Sequence, residues 1–174
     1  GLNDTNELPD IVLWDQQTTN LTRVSLGPNS VEPDGACGIP VISGDGTTVA
    51  FLSEATNLVV HDTNGVRDLF VCTLATGVIT RVSVSSAGAE SDAGCGGEIA
   101  ISADGRYVAF VSAATNLVAT DTNGVADVFR HDRQTGATIR VSVSTAGIEG
   151  NAPSWDVAMS GDGAALPRVS LLAS

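Results

Sequence analysis

Self-similarity at a fixed spacing constrains this 174-residue chain more than any other feature. Residues 43–88 align with 102–147 without a gap, and 28 of the 46 positions are identical. The shared skeleton reads S-x-D-G, V-A-F-x-S, A-T-N-L-V, D-T-N-G-V-x-D-x-F, T-G, R-V-S-V-S and A-G. A partial copy precedes it: Asp4-Thr5-Asn6 and Arg23-Val24-Ser25 lie 58 positions before Asp62-Thr63-Asn64 and Arg81-Val82-Ser83. Another opens at Ser160-Gly161-Asp162-Gly163, 58 positions after Ser102. A unit repeated in this way stacks on its neighbours, because alone it cannot cover its own apolar faces.

Within each copy, short β-forming runs alternate with turn residues. The expected strands are A over Ile39–Ser43 and Ile99–Ser102, B over Thr48–Ser53 and Tyr107–Ser112, C over Asp68–Thr73 and Asp127–Asp132, and D over Ile79–Val84 and Ile139–Val143. Asp45-Gly46 and Asp104-Gly105 mark an A–B hairpin, since the aspartate folds onto nearby backbone N–H groups and the glycine accepts positive φ. Thr76-Gly77 and Thr135-Gly136 mark the C–D turn. Valine and threonine are plentiful, aromatics make up 4%, and no stretch holds helical apolar spacing over three turns, so the fold class is all-β. Blades of four antiparallel strands with no covering helix bury both faces by stacking sheet on sheet, which a β-propeller achieves.

The run Ser102-Ala103-Asp104-Gly105-Arg106-Tyr107-Val108-Ala109-Phe110, followed by Asp127-Val128-Phe129 and Arg140-Val141-Ser142, resembles the S-P-D-G…I-A-F…D-I-Y…R-x-L-T blade of TolB-like bacterial propellers. The resemblance extends to Gly163 and is specific for blade type. It implies a fold shared by periplasmic scaffolds, surface proteins and modules attached to peptidases. After Gly163 the pattern departs: Ala164-Ala165-Leu166-Pro167-Arg168 stands where strand B belongs, and Pro167 interrupts the run. The last ten residues are therefore expected to be irregular.

Strand counting divides a single propeller segment, 1–174, into four pieces. Residues 1–38 supply strands C and D of a first blade, near Asp10–Asp15 and Leu21–Leu26, with a loop. Residues 39–98 and 99–154 are whole blades, and 155–174 begin a further one with strand A near Trp155–Ser160. That makes about three blades' worth, whereas closed rings use about four to eight. The expectation is a partial propeller continuing in a longer polypeptide, or half of a six-bladed ring. In that ring the C-terminal A/B strands of one copy meet the N-terminal C/D strands of another, which blunts exposed sheet edges.

Twenty acidic residues face eight arginines and no lysine, a net charge of −12 that disfavours nucleic acid and anionic membranes as partners. No apolar run is long enough for a membrane span. Residues 1–20 carry Asp4, Glu7, Asp10 and Asp15 without a basic segment and apolar core, so no secretory signal is read there. The chain begins mid-pattern, and the TolB-like resemblance implies an extracellular, cell-surface or periplasmic location. Cys37, Cys72 and Cys95 are an odd count, so at least one is unpaired. Cys37 and Cys95 occupy equivalent glycine-rich loops, which leaves both a bridge and two small loop thiols open.

Blade topology puts both tight turns on one face and the long B–C and D–A loops on the other, where binding loops usually sit. That face is acidic, and Glu90, Asp92, Glu98 and Glu149 are its candidate binding residues for a protein or glycan ligand. The sharpest chemical candidate is D-x-N-G-x-x-D: Asp62, Asn64 and Asp68, repeated as Asp121, Asn123 and Asp127. Short acidic turns of this kind offer oxygens to calcium. The competing reading is turn chemistry, with Asp62 or Asp121 capping the loop and Asp68 or Asp127 accepting backbone N–H groups. In the first copy Glu7 replaces the glycine. Arg23, Arg81 and Arg140 recur on strand D and read as ion-pair or edge residues, with anion recognition as the alternative. Phe51, Phe70, Phe110 and Phe129 read as inter-blade core, and Trp14, Cys72 and His131, at one repeat position, as packing.

No nucleophile elbow or phosphate-binding glycine loop is present in the sequence. The leading expectation is a non-enzymatic, exported bacterial propeller that serves as an interaction or structural module, with calcium as a candidate stabilising ion. The alternative is the propeller of a hydrolase, as a peptidase accessory or with glycan-active acids at its axial mouth.

Overall fold

The structure, a computed structural model, describes residues 4–167. Twelve strands follow in chain order: β1 (Val12–Trp14), β2 (Leu21–Arg23), β3 (Cys37–Ile42), β4 (Thr48–Ser53), β5 (Asp68–Thr73), β6 (Val78–Arg81), β7 (Cys95–Ile101), β8 (Tyr107–Ser112), β9 (Asp127–Asp132), β10 (Ala137–Arg140), β11 (Val157–Met159) and β12 (Ala165–Pro167). Every pairing is antiparallel and joins strands adjacent in sequence. The sheets are β1-β2, β3-β4-β5-β6, β7-β8-β9-β10 and β11-β12: two four-stranded blades flanked by two half-blades, as the repeat predicts.

Strands B and C fall on the expected residues, and the flanking strands shift for identifiable reasons. Strand A begins earlier, at Cys37 and Cys95, because each carries a bulge, between Gly38 and Val41 and between Gly96 and Ile99. The extra residues take left-handed backbone at Ile39 (φ 51°) and Gly97 (φ 68°), a conformation that costs a β-branched isoleucine more than glycine. Strand D ends at Arg81 and Arg140 instead of reaching Val84 and Val143. Those two valines instead bridge to Glu90 and Glu149 in small local hairpins. In the fourth blade Pro167 does not interrupt the run: it closes β12 opposite Val157. Residues 168–174 of the segment expected to be irregular lie outside the described residues.

Burial follows the alternation of strand B. Ala50 and Leu52 face the third blade, joining Ile99, Val108, Phe110 and Phe129 in one buried cluster. Val49 and Phe51, on the opposite face, join Phe70, Ile11 and Val24 of the first seam. In the third blade Ala109, Val111 and Val128 pack on Val157 of the fourth. Each blade thus presents phenylalanines to the blade before it and mostly smaller side chains to the blade after it, which suits wedges stacked at interior density. Phe51 and Phe70 stand opposite in register with ring centroids 6.0 Å apart, and Phe110 and Phe129 repeat this at 5.9 Å.

The A–B turns are linked from blade to blade. Ser43 Oγ donates to Asp45 Oδ1 at 2.6 Å, and the same oxygen accepts from Thr47 N at 3.0 Å. Asp45 N then donates to Ala103 O at 2.9 Å, and Ala103 N donates to Gly161 O at 3.0 Å, so three turns form a relay. Close approach fixes the glycines: a Cβ on Gly105 would lie 2.6 Å from Thr48 Oγ1. All three cysteines are free and buried. Cys37 lies in the first seam and Cys95 in the second, so the bridge left open by the sequence does not form. Burial pushes all three thiols up. No helix among the described residues is long and apolar enough to cross a membrane.

Candidate functional site

The candidate calcium loops converge on a guanidinium. Arg81, at the end of β6, places Nη1 2.9 Å from Asp62 Oδ1 and 3.2 Å from Asp68 Oδ2, and Nη2 2.5 Å from Glu90 Oε1. Arg140 repeats this at the end of β10, with Asp121 at 3.4 Å, Asp127 at 3.2 Å and Glu149 at 2.7 Å. Arg23 keeps Asp10 at 2.9 Å and pairs with Glu32. There Asp4 accepts instead from the N–H groups of Asn6 and Glu7 at 3.3 and 3.2 Å, the turn chemistry that competed with calcium in the sequence.

The surrounding donors leave these carboxylates well occupied. Asp68 is fully buried; its Oδ1 accepts from Ser83 Oγ at 2.5 Å and Ser91 Oγ at 3.3 Å, while Oδ2 accepts from Asn64 Nδ2 at 3.0 Å. Ser83 Oγ in turn accepts from Leu69 N at 3.1 Å, tying the start of β5 to the segment after β6. Asn64 Nδ2 also donates to Ser91 O at 3.1 Å, and Asn64 Oδ1 accepts from Val66 N at 3.3 Å. Its amide therefore offers Asp68 a nitrogen, where a shared cation would need its oxygen. Asn123 does the same toward Asp127 at 3.0 Å. Among the described residues no three His, Cys, Asp or Glu side chains form a group that could hold a metal ion.

Glu90 and Asp92 connect three loops. Glu90 accepts from Thr63 N at 2.9 Å and Thr63 Oγ1 at 2.5 Å, besides Arg81, all within its own blade. Asp92 accepts from Thr115 N at 2.8 Å and Thr115 Oγ1 at 2.7 Å in the next blade. Asn116 completes the clamp, accepting from Asp92 N at 3.1 Å and donating to Glu90 O at 2.8 Å. Asp34, Thr56 and Asn57 repeat this clamp at the first seam, with Asp34 accepting from Thr56 N and Oγ1 at 2.7 Å each. The E-x-D segment between strands D and A is thus a staple, glutamate to the preceding blade and aspartate to the following one. Glu149 keeps the first half through Thr122 and Arg140, and Asn151 stands where the second aspartate would be. Glu98 is exposed on the β7 bulge, away from these networks.

Electrostatics agree with a structural network. Hydrogen bonds from Thr63, then Arg81, pull Glu90 down to about 2. Thr115 lowers Asp92, and Arg140 lowers Glu149. Burial raises Asp62 and Asp121 despite the arginine beside each. Arg23, Arg81 and Arg140, the recurring strand-D arginines, are ion-paired in the structure. Thr56, Thr63, Thr115, Asn116 and Ser83 carry no chemical motif of their own in the sequence. Their signal was the repeat itself, since A-T-N, D-T-N and R-V-S recur at the same interval as E-x-D.

A second difference between seams lies at the outer rim. Between the second and third blades, Thr138 donates to Val84 O at 2.5 Å and contacts His131 Nδ1 at 2.9 Å, while its N–H donates to Ser86 Oγ at 2.9 Å. In the first seam the equivalent positions are Ile79, Leu26, Cys72 and Pro28, which cannot make those bonds. A cavity of about 540 Å³ lies among them.

No protein-family model and no curated protein sequence matches the chain. Solved structures do. A TolB from Agrobacterium tumefaciens aligns over 90% of this chain and 48% of its own, with a TM-score of 0.51 and 22% identity. The fold is that of a TolB-like β-propeller. The tricorn protease aligns over 86% of this chain and 12% of its own, with a TM-score of 0.50 and 13% identity. TolB from Acinetobacter baumannii aligns over 88% of this chain and 30% of its own, with a TM-score of 0.48 and 20% identity. The chain thus spans less than half the length of each of these proteins.

Proposed function

We propose that the chain is a segment of a non-enzymatic, exported bacterial propeller that acts as an interaction or structural module. One observation carries this reading: Arg81 and Arg140 each draw three carboxylates of the long-loop face into an ion-pair cluster inside one blade, so these acids serve the architecture of the loops. A general acid or nucleophile needs a carboxyl group free to face substrate, and Glu90, Asp92 and Glu149 are engaged by threonine, asparagine or arginine. For the same loops we favour the arginine, in place of calcium, as the resident cation. What remains for a protein or glycan ligand on that face is loop surface around the staples, including exposed Glu98 and Trp155.

Glycosidase and peptidase assays on Glu90→Gln and Asp92→Asn test the reading against its hydrolase rival. The expected result is no turnover in any form, with a lowered melting midpoint in both variants. Turnover by the parent chain that disappears in a variant of unchanged stability would favour the hydrolase.

A further inference from the structure

The cavity at the outer rim of the first seam gathers differences between two otherwise similar blades. Five of the residues that the second blade contributes to it, Val60, Cys72, Leu74, Val78 and Ile79, have Ala119, His131, Arg133, Ala137 and Thr138 as counterparts in the third. Each change makes the first seam more apolar than the second, since a free cysteine packs as a small hydrophobe. At the second seam these counterparts close the rim with hydrogen bonds: besides those of Thr138, Arg133 donates to Gly105 O at 2.7 Å and to Thr73 Oγ1 at 2.9 Å. At the first seam Leu26 and Pro28 face Cys72 and Ile79 across about 540 Å³, with Val60 and Val78 72% and 56% exposed.

We propose that this cavity is a binding site for a neutral aliphatic molecule, such as a medium-chain alcohol, with its hydroxyl directed to the exposed Asn29 and Ser30. The volume is that of a small-molecule pocket, and the walls come from the outer strands and loops of two adjacent blades. Aliphatic side chains dominate the lining and no aromatic ring belongs to it among the described residues, so an alkyl chain finds contacts there and a flat ring finds nothing to stack on. An apolar cavity holds water poorly, which favours its filling by hydrocarbon. A charged head group has no counterpart: Arg23 is the only charged residue among the described lining, and Asp10 and Glu32 already hold its guanidinium. The net charge of −12 further disfavours a carboxylate.

Titration of the full chain with 1-octanol, followed through its methyl resonances by NMR, tests this, with octanoate as the charged comparison. The expected result is a saturable shift confined to the methyl groups around the cavity, those of Leu26, Leu58, Val59 and Ile79 among them. Octanoate should bind at least about tenfold more weakly, because its charge meets no free cation. Val60→Asp alters a residue that is already 72% exposed, so the fold stands while a carboxylate at the mouth weakens octanol binding. Cys72→His combined with Ile79→Thr, the residues of the second seam, should abolish the saturable shift. Shifts that never saturate or that spread to methyl groups outside the cavity overturn the proposal. So do octanoate binding as tight as that of octanol and a Val60→Asp variant that binds octanol like its parent. Cavity shifts that follow protein concentration in the absence of octanol would place a second copy there and overturn it too.

Discussion

Arg81 and Glu90 meet at 2.5 Å although the nine positions separating them take the chain out of strand D and around a hairpin. The contact fixes where the chain leaves one blade before it crosses to the next, so the ion pair and the path of the seam are one feature. Arg81 is also the only cation within salt-bridge distance of buried Asp68 among the described residues.

Removing that guanidinium leaves Asp62 and Asp68 buried beside each other without a counter-charge. Arg81→Ala is expected to cost about 3–5 kcal/mol, the cost of breaking a buried pair from one side. Arg81→Lys is expected to recover only part of that, because one ammonium cannot span three carboxylates as a planar fork does. Urea denaturation of both variants checks the order.

Acid should weaken the long-loop network of the second blade through Glu90. Its folded pKa is depressed from 4.5 to about 2, so its contribution is complete above 4.5 and is lost as pH falls toward about 2. Asp62 and Asp121 act in the opposite sense: burial raises them, so protonating them relieves a cost as pH falls. The expected outcome is a net decline in stability between pH 4.5 and about 2 that is shallower in Glu90→Gln. Melting midpoints across that window read it directly.

The turn relay gives a matched pair of substitutions. Gly46 and Gly105 occupy the same turn position with the same φ of 69°, but only a Cβ at Gly105 meets another blade, at Thr48. Gly46→Ala is expected to cost about 1 kcal/mol, from left-handed backbone alone. Gly105→Ala should cost measurably more, and the excess should shrink when Thr48 is also changed to Ala. Denaturant midpoints of the three variants decide it.

Asp92 and Thr115 clamp consecutive blades, so their substitutions should not add. A cycle of Asp92→Ala, Thr115→Ala and the double variant is expected to show coupling of about 1 kcal/mol. Additive costs would mean the clamp holds nothing.

Strands B and C were legible to the residue because their alternation, β-branched content and bounding turns all agree, as in Thr48–Ser53 and Asp68–Thr73. The start of strand A is not legible in the sequence because a bulge breaks the period of two at Ile39 and Gly97, and no local residue preference announces a left-handed isoleucine. Strand D is shorter than its apolar pattern because Val84 continues that pattern but spends its backbone bonding on Glu90. At the site, residue types and spacing placed Asp62, Asn64 and Asp68 together. Spacing alone does not say which cation they enclose, since Arg81 lies 13 residues beyond Asp68 and reaches it only through the C–D hairpin. The clamps were illegible for the same reason: Asp92 and Thr115 are 23 residues apart and meet only once two blades have stacked.

The most direct measurement of whether an arginine, and not a metal, holds the acidic loops is the melting midpoint of the parent chain in excess chelator and in millimolar calcium. The prediction is one midpoint in both conditions, with Arg81→Ala melting well below it in either. A midpoint that rises with calcium in the parent chain, or an Arg81→Ala variant as stable as its parent, would contradict it.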